Sequence, residues 1–376
     1  MNQRELSAKL SQSRSKAEKI SLLDSYAGKL FEKGKFKEAA KYYAQALEMA
    51  NLRNAKAYFS GQVGICHYTA GNDKDALRYL LKSARLFNPD EPEFMPDMYG
   101  FVSFHLGSLY EYYGKHTKSL DARKVCEQYI DSQEKDTKWM LYAGISRIYE
   151  TLGKHDSAIL YSQKALQVLS DNDPGLTYIY ESMGNNYMNL KQYQEAITYF
   201  SKVIELDPHF ERLDEIQFKM ADCYRRLMND RMALETYKKI IELKHLTGKK
   251  EGLIKLYILK AECYFRLEEY EKSLLVTLEA VRRQPRNKLE KIEIRSFLTD
   301  NYYELGRYVE AVREGEKTLG LGVKRFHNDH LFYFRLALSY HKLGDKKAFA
   351  RYKALCKKMF PTDSWNDYLA KLVSSI

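Results

Sequence analysis

Residues 178–208 read YIYESMGNNYMNLKQYQEAITYFSKVIELDP. Tyr180, Met183, Gly184 and Tyr187 recur at spacings of three and four, the period of an amphipathic helix, and Ala196 and Phe200 begin a second such pattern. The polar module KQYQEA at 191–196 separates the two, so the stretch predicts two helices joined by a tight turn.

The same module recurs along the chain as GKFKEA at 34–39, GNDKDA at 71–76, GKHTKS at 114–119 and GKHDSA at 153–158. EEYEKS at 268–273 and GRYVEA at 306–311 follow, with divergent copies MNDRMA at 228–233 and GDKKAF at 344–349, making nine copies. Tyr110, Tyr149, Tyr187, Tyr264 and Tyr302 each stand four residues before a module. Small residues twelve apart, such as Ala27 and Ala39, Gly64 and Ala76, Gly107 and Ser119, Gly184 and Ala196, mark where two antiparallel helices approach closely. Large residues, Tyr43, Leu80, Phe200 and Tyr237, are expected to fill the space between neighbouring hairpins. One hairpin cannot bury its apolar face alone, so the hairpins must stack.

These residues resemble the tetratricopeptide repeat superfamily, the fifth copy most fully with Tyr180, Met183, Gly184, Tyr187, Tyr193, Ala196, Phe200 and Pro208. The resemblance covers nearly the whole chain. It implies an all-α, right-handed α-solenoid of antiparallel helix hairpins that binds a partner and carries no catalytic centre. Arg123, Met228 and Gly315 depart from the residue types usual at their positions. Intervals of 37 to 43 residues between the small-residue anchors exceed the family's usual length of about 34. The longest interval contains NPDEPEFMPD at 88–97, whose three prolines predict an extended connection, a hinge or a lip of the groove.

The expected organisation is an N-terminal capping helix at 1–20, nine repeats over 21–360 and a C-terminal capping helix at 361–376. Residues 3–19 read as one polar helix, and Trp365, Leu369, Leu372 and Val373 as a helical stripe after Pro361. Composition agrees with a helical protein: 45% hydrophobic residues, 30% charged and 7 prolines. No apolar run is long enough for a membrane helix and no secretory signal opens the sequence, so the expected compartment is the cytoplasm. Cys66, Cys126, Cys223, Cys263 and Cys356 are scattered without paired spacing, and three share one slot of the repeat, which suits packing better than metal or redox chemistry.

The first helix of each hairpin generally lines the concave face of such solenoids. Partner-binding candidates opposite its packing stripe are Tyr178, Glu181, Asn185 and Asn189 in the fifth copy, Glu215, Lys219, Asp222 and Arg226 in the sixth, and Lys255, Glu262 and Arg266 in the seventh. This mixed-charge strip suits an extended backbone with acidic and basic side chains. If the strip binds, reversing Lys219, Arg226 and Arg266 to Glu weakens partner binding and leaves helicity intact. Tyr58, Gln62 and Tyr68 could add an aromatic surface near the amino end. The family's carboxylate clamp for chaperone tails finds agreement at Asn185 and Lys255 alone, with Glu181, Lys219 and Leu259 at its other positions, so that ligand is disfavoured.

No phosphate-binding loop, nucleophile elbow or zinc-protease motif occurs, and no cofactor is expected. His327, Asn328, Asp329 and His330 form the densest histidine group without a further ligand motif, and DNDPG at 171–175 reads as a turn because Ser182 stands where a calcium loop needs Glu. The formal charge of +11 favours acidic partners, with basic clusters at Lys244 to Lys250, at Arg282, Arg283, Arg286 and Lys288, and at Arg351, Lys353, Lys357 and Lys358. Three functions remain open: a scaffold or adaptor holding a partner peptide or helix in its groove, a regulatory peptide sensor of bacterial signalling, and a basic protein working on RNA or a membrane surface. Variable polar slots from repeat to repeat speak against an RNA code.

Overall fold

The computed structural model describes residues 2–91, 93–129, 135–248, 251–285, 287–322 and 329–360. The architecture is an all-α solenoid, and the described residues form nineteen helices. They fall into two compact units, residues 1–207 and 208–376. No helix among them is long and apolar enough to cross a membrane.

In the first unit a short helix α1 (Gln3–Gln12) precedes five hairpins: α2 (Lys16–Glu32) with α3 (Phe36–Met49), α4 (Arg53–Thr69) with α5 (Asp73–Leu86), and α6 (Pro96–Tyr112) with α7 (His116–Tyr129). The unit closes with α8 (Lys135–Thr151) and α9 (His155–Leu166), then α10 (Gly175–Asn189) and α11 (Tyr193–Leu206). The second unit holds four: α12 (Leu213–Arg226) with α13 (Asp230–Leu246), α14 (Leu253–Arg266) with α15 (Tyr270–Arg282), α16 (Lys288–Glu304) with α17 (Tyr308–Gly320), and α18 (Asp329–Lys342) with α19 (Lys346–Met359). Within each unit every second helix packs on the next first helix, and neighbouring first helices also touch, as α6 and α8 do, or α14 and α16.

The turn between paired helices has one cause. The first residue of all nine modules adopts a left-handed backbone: Gly in six copies, and Lys191 (φ 62°), Met228 (φ 56°) and Glu268 (φ 60°) in the others. This residue ends the first helix in a Schellman motif, as where Gly34 N–H donates to the Phe31 carbonyl and Lys35 N–H to that of Leu30, both at 2.9 Å.

The anchors explain the rest. A Cβ on Gly184 would lie 2.5 Å from the Phe200 ring, and one on Gly64 would lie 2.7 Å from Leu80, so the second helix drops its large side chain onto bare backbone. Where the small partner is serine, its hydroxyl seals the approach: Ser119 Oγ donates to the Gly107 carbonyl at 2.6 Å and Ser273 Oγ to that of Ala261 at 2.9 Å. Aromatic pairs lock neighbouring turns, Tyr187 stacking on Tyr199 and Tyr340 on Tyr352 with centroids 5.3 and 5.4 Å apart. All five thiols are free and buried, and burial pushes Cys66, Cys126, Cys223 and Cys263 up to about 12, which keeps them protonated and unreactive.

Two expectations are corrected. Residues 3–19 are not one helix: α1 stops at Gln12, and Ser15 begins α2 by accepting the Glu18 N–H. Nor is 88–97 an extended linker. Pro96 is the first residue of α6, where a missing N–H costs nothing. Asn54, buried on α4, holds the connection through the Asn88 N–H at 3.0 Å and the Glu91 carboxylate at 3.3 Å, while Phe94 packs edge-on to Phe87 and Tyr99. The C-terminal stripe at 361–376, His327, Asn328 and Arg286 lie outside the described residues.

Met228 is 70% exposed, so its side chain gives little back for its left-handed backbone. Met228→Gly is expected to raise the stability of the second unit by roughly 1 kcal/mol, and Gly114→Ala to lower that of the first by about as much. Thermal unfolding of both variants checks the signs.

Candidate functional site

Within each unit a second helix packs between its own first helix and the next, and neighbouring first helices such as α6 and α8, or α14 and α16, meet one another. The eleven candidates divide between the units, four on α10 and seven on α12 and α14.

On α10, Tyr178 and Asn189 are exposed and Asn185 is half-buried. Glu181 is 4% exposed, which corrects its placement on an accessible face. It lies four residues after Thr177 and three before Gly184, both buried, so it belongs to the packing side of the helix.

The seven residues of the second unit are joined to one another and to neighbours that the strip omitted. Glu215 takes Lys219 at 2.7 Å, and Lys255 reaches Glu293 on α16 at 3.2 Å. Asp222 receives Arg225 at 2.8 Å and Arg226 at 3.4 Å. Arg225 forks onto both oxygens of Glu262 at 3.1 and 3.2 Å. Glu262 also takes Arg266 at 3.0 Å, whose Nε sits 3.0 and 3.1 Å from the two oxygens of Asp230. Burial works against the charges on Arg225 and Arg266, but the bonds from Asp222 and Asp230 and the field of Glu262 outweigh it and hold both guanidiniums above their ordinary value. Arg225 is the hub of this chain. The strip took Arg226 in its place because a helix turns 100° per residue, and one step moves a side chain off the face.

Beside the network, α12, α13 and α14 enclose a cleft of about 770 Å³. Phe218, Ile240 and Leu256 give it an apolar lining, and Asp214, Glu215, Lys244 and Lys255 stand around it. Lys244 lies 3.6 Å from Asp214, so that edge is paired. Two of the strip residues, Glu215 and Lys255, thus face a recess that hydrophobic spacing alone did not reveal.

The first unit holds a different cluster. Arg123 occupies on α7 the slot that Phe200 fills on α11, and its side chain passes between two glycines: a Cβ on Gly107 would lie 2.7 Å from its Cγ, and one on Gly144 2.4 Å from a guanidinium nitrogen. Its Nη2 reaches Glu111 on α6 at 2.8 Å, and Arg147 on α8 takes the other oxygen at 2.5 Å. Burial would raise Glu111, but the two guanidiniums win and hold its carboxyl below the usual range. The departure noted at Arg123 is therefore a buried bridge across the hairpin. Tyr58, Gln62 and Tyr68 do not form a free aromatic surface: Tyr58 donates to Asp24 at 3.2 Å, Gln62 contacts the Met98 sulfur at 3.9 Å, and Tyr68 tilts over His105 at 4.8 Å. Among the described residues no group of three metal-ligating side chains occurs.

Tetratricopeptide repeat models match residues 29–91, 141–168, 178–210 and 215–243. Over these residues the chain carries tetratricopeptide repeats. Among solved structures it is similar to the apo form of RapI, at 12% identity and a TM-score of 0.51 over 95% of this chain and 98% of that one. It also matches the C-terminal part of a TPR repeat-containing protein from Cytophaga hutchinsonii, at 17% identity and a TM-score of 0.45 over 82% of this chain and 98% of that one. A tetratricopeptide repeat protein from Parabacteroides merdae matches at 16% identity and 0.42 over 76% and 99%. At 12% identity the likeness to RapI speaks to the fold alone. No sequence among curated proteins matches the chain. Proteins of this repeat superfamily are in general interaction scaffolds rather than catalysts.

The network has a measurable consequence. Reversing Arg266 cannot leave the fold intact, because it would set a third carboxylate against Glu262 and the 4%-exposed Asp230. Arg266→Gln is expected to lower the stability of the second unit by about 3 kcal/mol, whereas Arg226→Gln, at an exposed pair, changes it by less than about 0.5 kcal/mol. Chemical denaturation separates the two. In the first unit, burial pushes His105 down to about 4, so the folded state binds fewer protons than the unfolded chain. Its contribution is full above the unfolded value of about 6.5 and is lost as pH falls through about 4. His105→Phe is expected to flatten the stability profile of that unit across this window.

Proposed function

We propose that this tetratricopeptide repeat protein is a non-catalytic scaffold or adaptor of the cytoplasm that holds a peptide or helix of a partner protein against its first helices. The observation that carries the proposal is the cleft among α12, α13 and α14, whose apolar lining lies beside charged groups of both signs. An apolar recess edged by a few placed charges is what anchors one side chain of a bound segment while its neighbours pair at the rim. Glu215 and Lys255 are each about half exposed, so they can exchange their present partners for those of a ligand at small cost. The half-buried chain from Asp222 to Asp230 holds the helices in place and need not touch the ligand.

The test is selection from a displayed peptide library followed by affinity measurement on the purified chain. The expected result is an enriched family of peptides with one large apolar residue flanked by charges. Their affinity should fall by about tenfold when the rim is reversed by Glu215→Lys with Lys255→Glu. Enriched peptides that bind the reversed protein equally well would move the site elsewhere.

A further inference from the structure

Beyond the groove, the last described helix carries a charge pattern that packing does not explain. α19 contains Lys346, Lys347, Arg351, Lys353, Lys357 and Lys358 and no Asp or Glu, against a formal net charge of +11 for the whole chain. Each of the other eight second helices includes at least one acidic residue, and several pair it in place, as Lys35 with Glu38, Lys238 with Glu235 or Lys317 with Glu314. Among the described residues none of the six cations of α19 makes an ion pair. Among the described residues, two acids beside α19 are engaged: Asp345 caps α19 through the Ala348 N–H at 2.9 Å, and Glu316 accepts from the hydroxyls of Tyr340 and Tyr352, both at 2.6 Å. Arg351 lies over the Tyr352 ring at 5.4 Å.

The cations are arranged as well as numerous. Lys346, Lys347, Arg351, Lys357 and Lys358 are exposed, and Ala350 and Ala354 are exposed between them. Lys347, Arg351 and Lys358 stand four and seven apart, and Lys346, Lys353 and Lys357 seven and four, so both rows follow the helix period over about 16 Å. The two alanines leave a shallow floor along which a second helix can approach. Like charges at these spacings destabilise an isolated helix, so the pattern favours an outside counter-charge.

We propose that this face of α19 docks an acidic helix of a protein partner, with carboxylates three, four or seven residues apart facing the two rows. The features that other polyanions exploit are missing from the face. Phe349 and Tyr352, the aromatics of α19, are both buried, so no platform is offered for stacking bases. Among the described residues of α19 no large apolar side chain is exposed for insertion into a bilayer.

The probe is a synthetic peptide of about 20 residues, rich in Ala, with Glu at spacings of three and four. Its control has the same composition with a central proline. The full-length chain should bind the helical peptide at least about fivefold more tightly than the control, and raising salt from about 50 to about 300 mM should weaken binding by about tenfold. Lys347→Gln, Arg351→Gln, Lys357→Gln and Lys358→Gln together should abolish that preference, and a version with Glu at the four sites should bind nothing. Equal binding of the two peptides by the wild-type chain overturns the proposal whatever the variants do. So does tighter binding of duplex RNA or phosphatidylserine vesicles than of the helical peptide.

Discussion

The approach of two helix backbones at a small residue is the interaction on which everything else rests. At Gly64, Gly107 and Gly184 the second helix lays Leu80, Arg123 or Phe200 directly on bare backbone, at distances that a methyl group would forbid. That closeness fixes the pairing within a hairpin and leaves the outer side of each second helix to pack on the next first helix. The left-handed residue at the head of each module completes the constraint, because it reverses the chain in few enough residues to keep the two helices in register. Hairpin and stack follow from these two local conditions.

The polar clusters show how a repeat frame diversifies without being altered. In the second unit, acids and arginines on α12 and α14 and the acid at the head of α13 link into one chain from Asp222 through Arg225, Glu262 and Arg266 to Asp230. In the first, an arginine takes an aromatic's place and is brought through the hairpin to Glu111. Both clusters spend most of their charge internally, so they orient helices more than they attract ligands. The cleft among α12, α13 and α14, by contrast, keeps a half-exposed rim at Glu215 and Lys255.

The hairpins were legible because their causes are local: a period of three to four, a small residue twelve positions from another, and a turn module repeated nine times. The groove was legible only as a helix face. Glu181 and Arg225 show the limit, since one residue of phase decides whether a side chain is buried, paired or accessible, and the phase depends on how the next hairpin sits. Arg123 appeared as a deviation without a purpose because its reason lies in Gly107, Gly144 and Glu111, on two other helices. The cleft depends on three helices at once, and no single stretch of sequence encodes it.

The most direct measurement of the account is backbone hydrogen exchange on the second unit with and without a bound peptide selected from a library. If first helices form the binding face, bound peptide slows exchange at the amino ends of α12 and α14, around Glu215 and Lys255, and leaves α15 and α17 unchanged. Protection confined to second helices would contradict it.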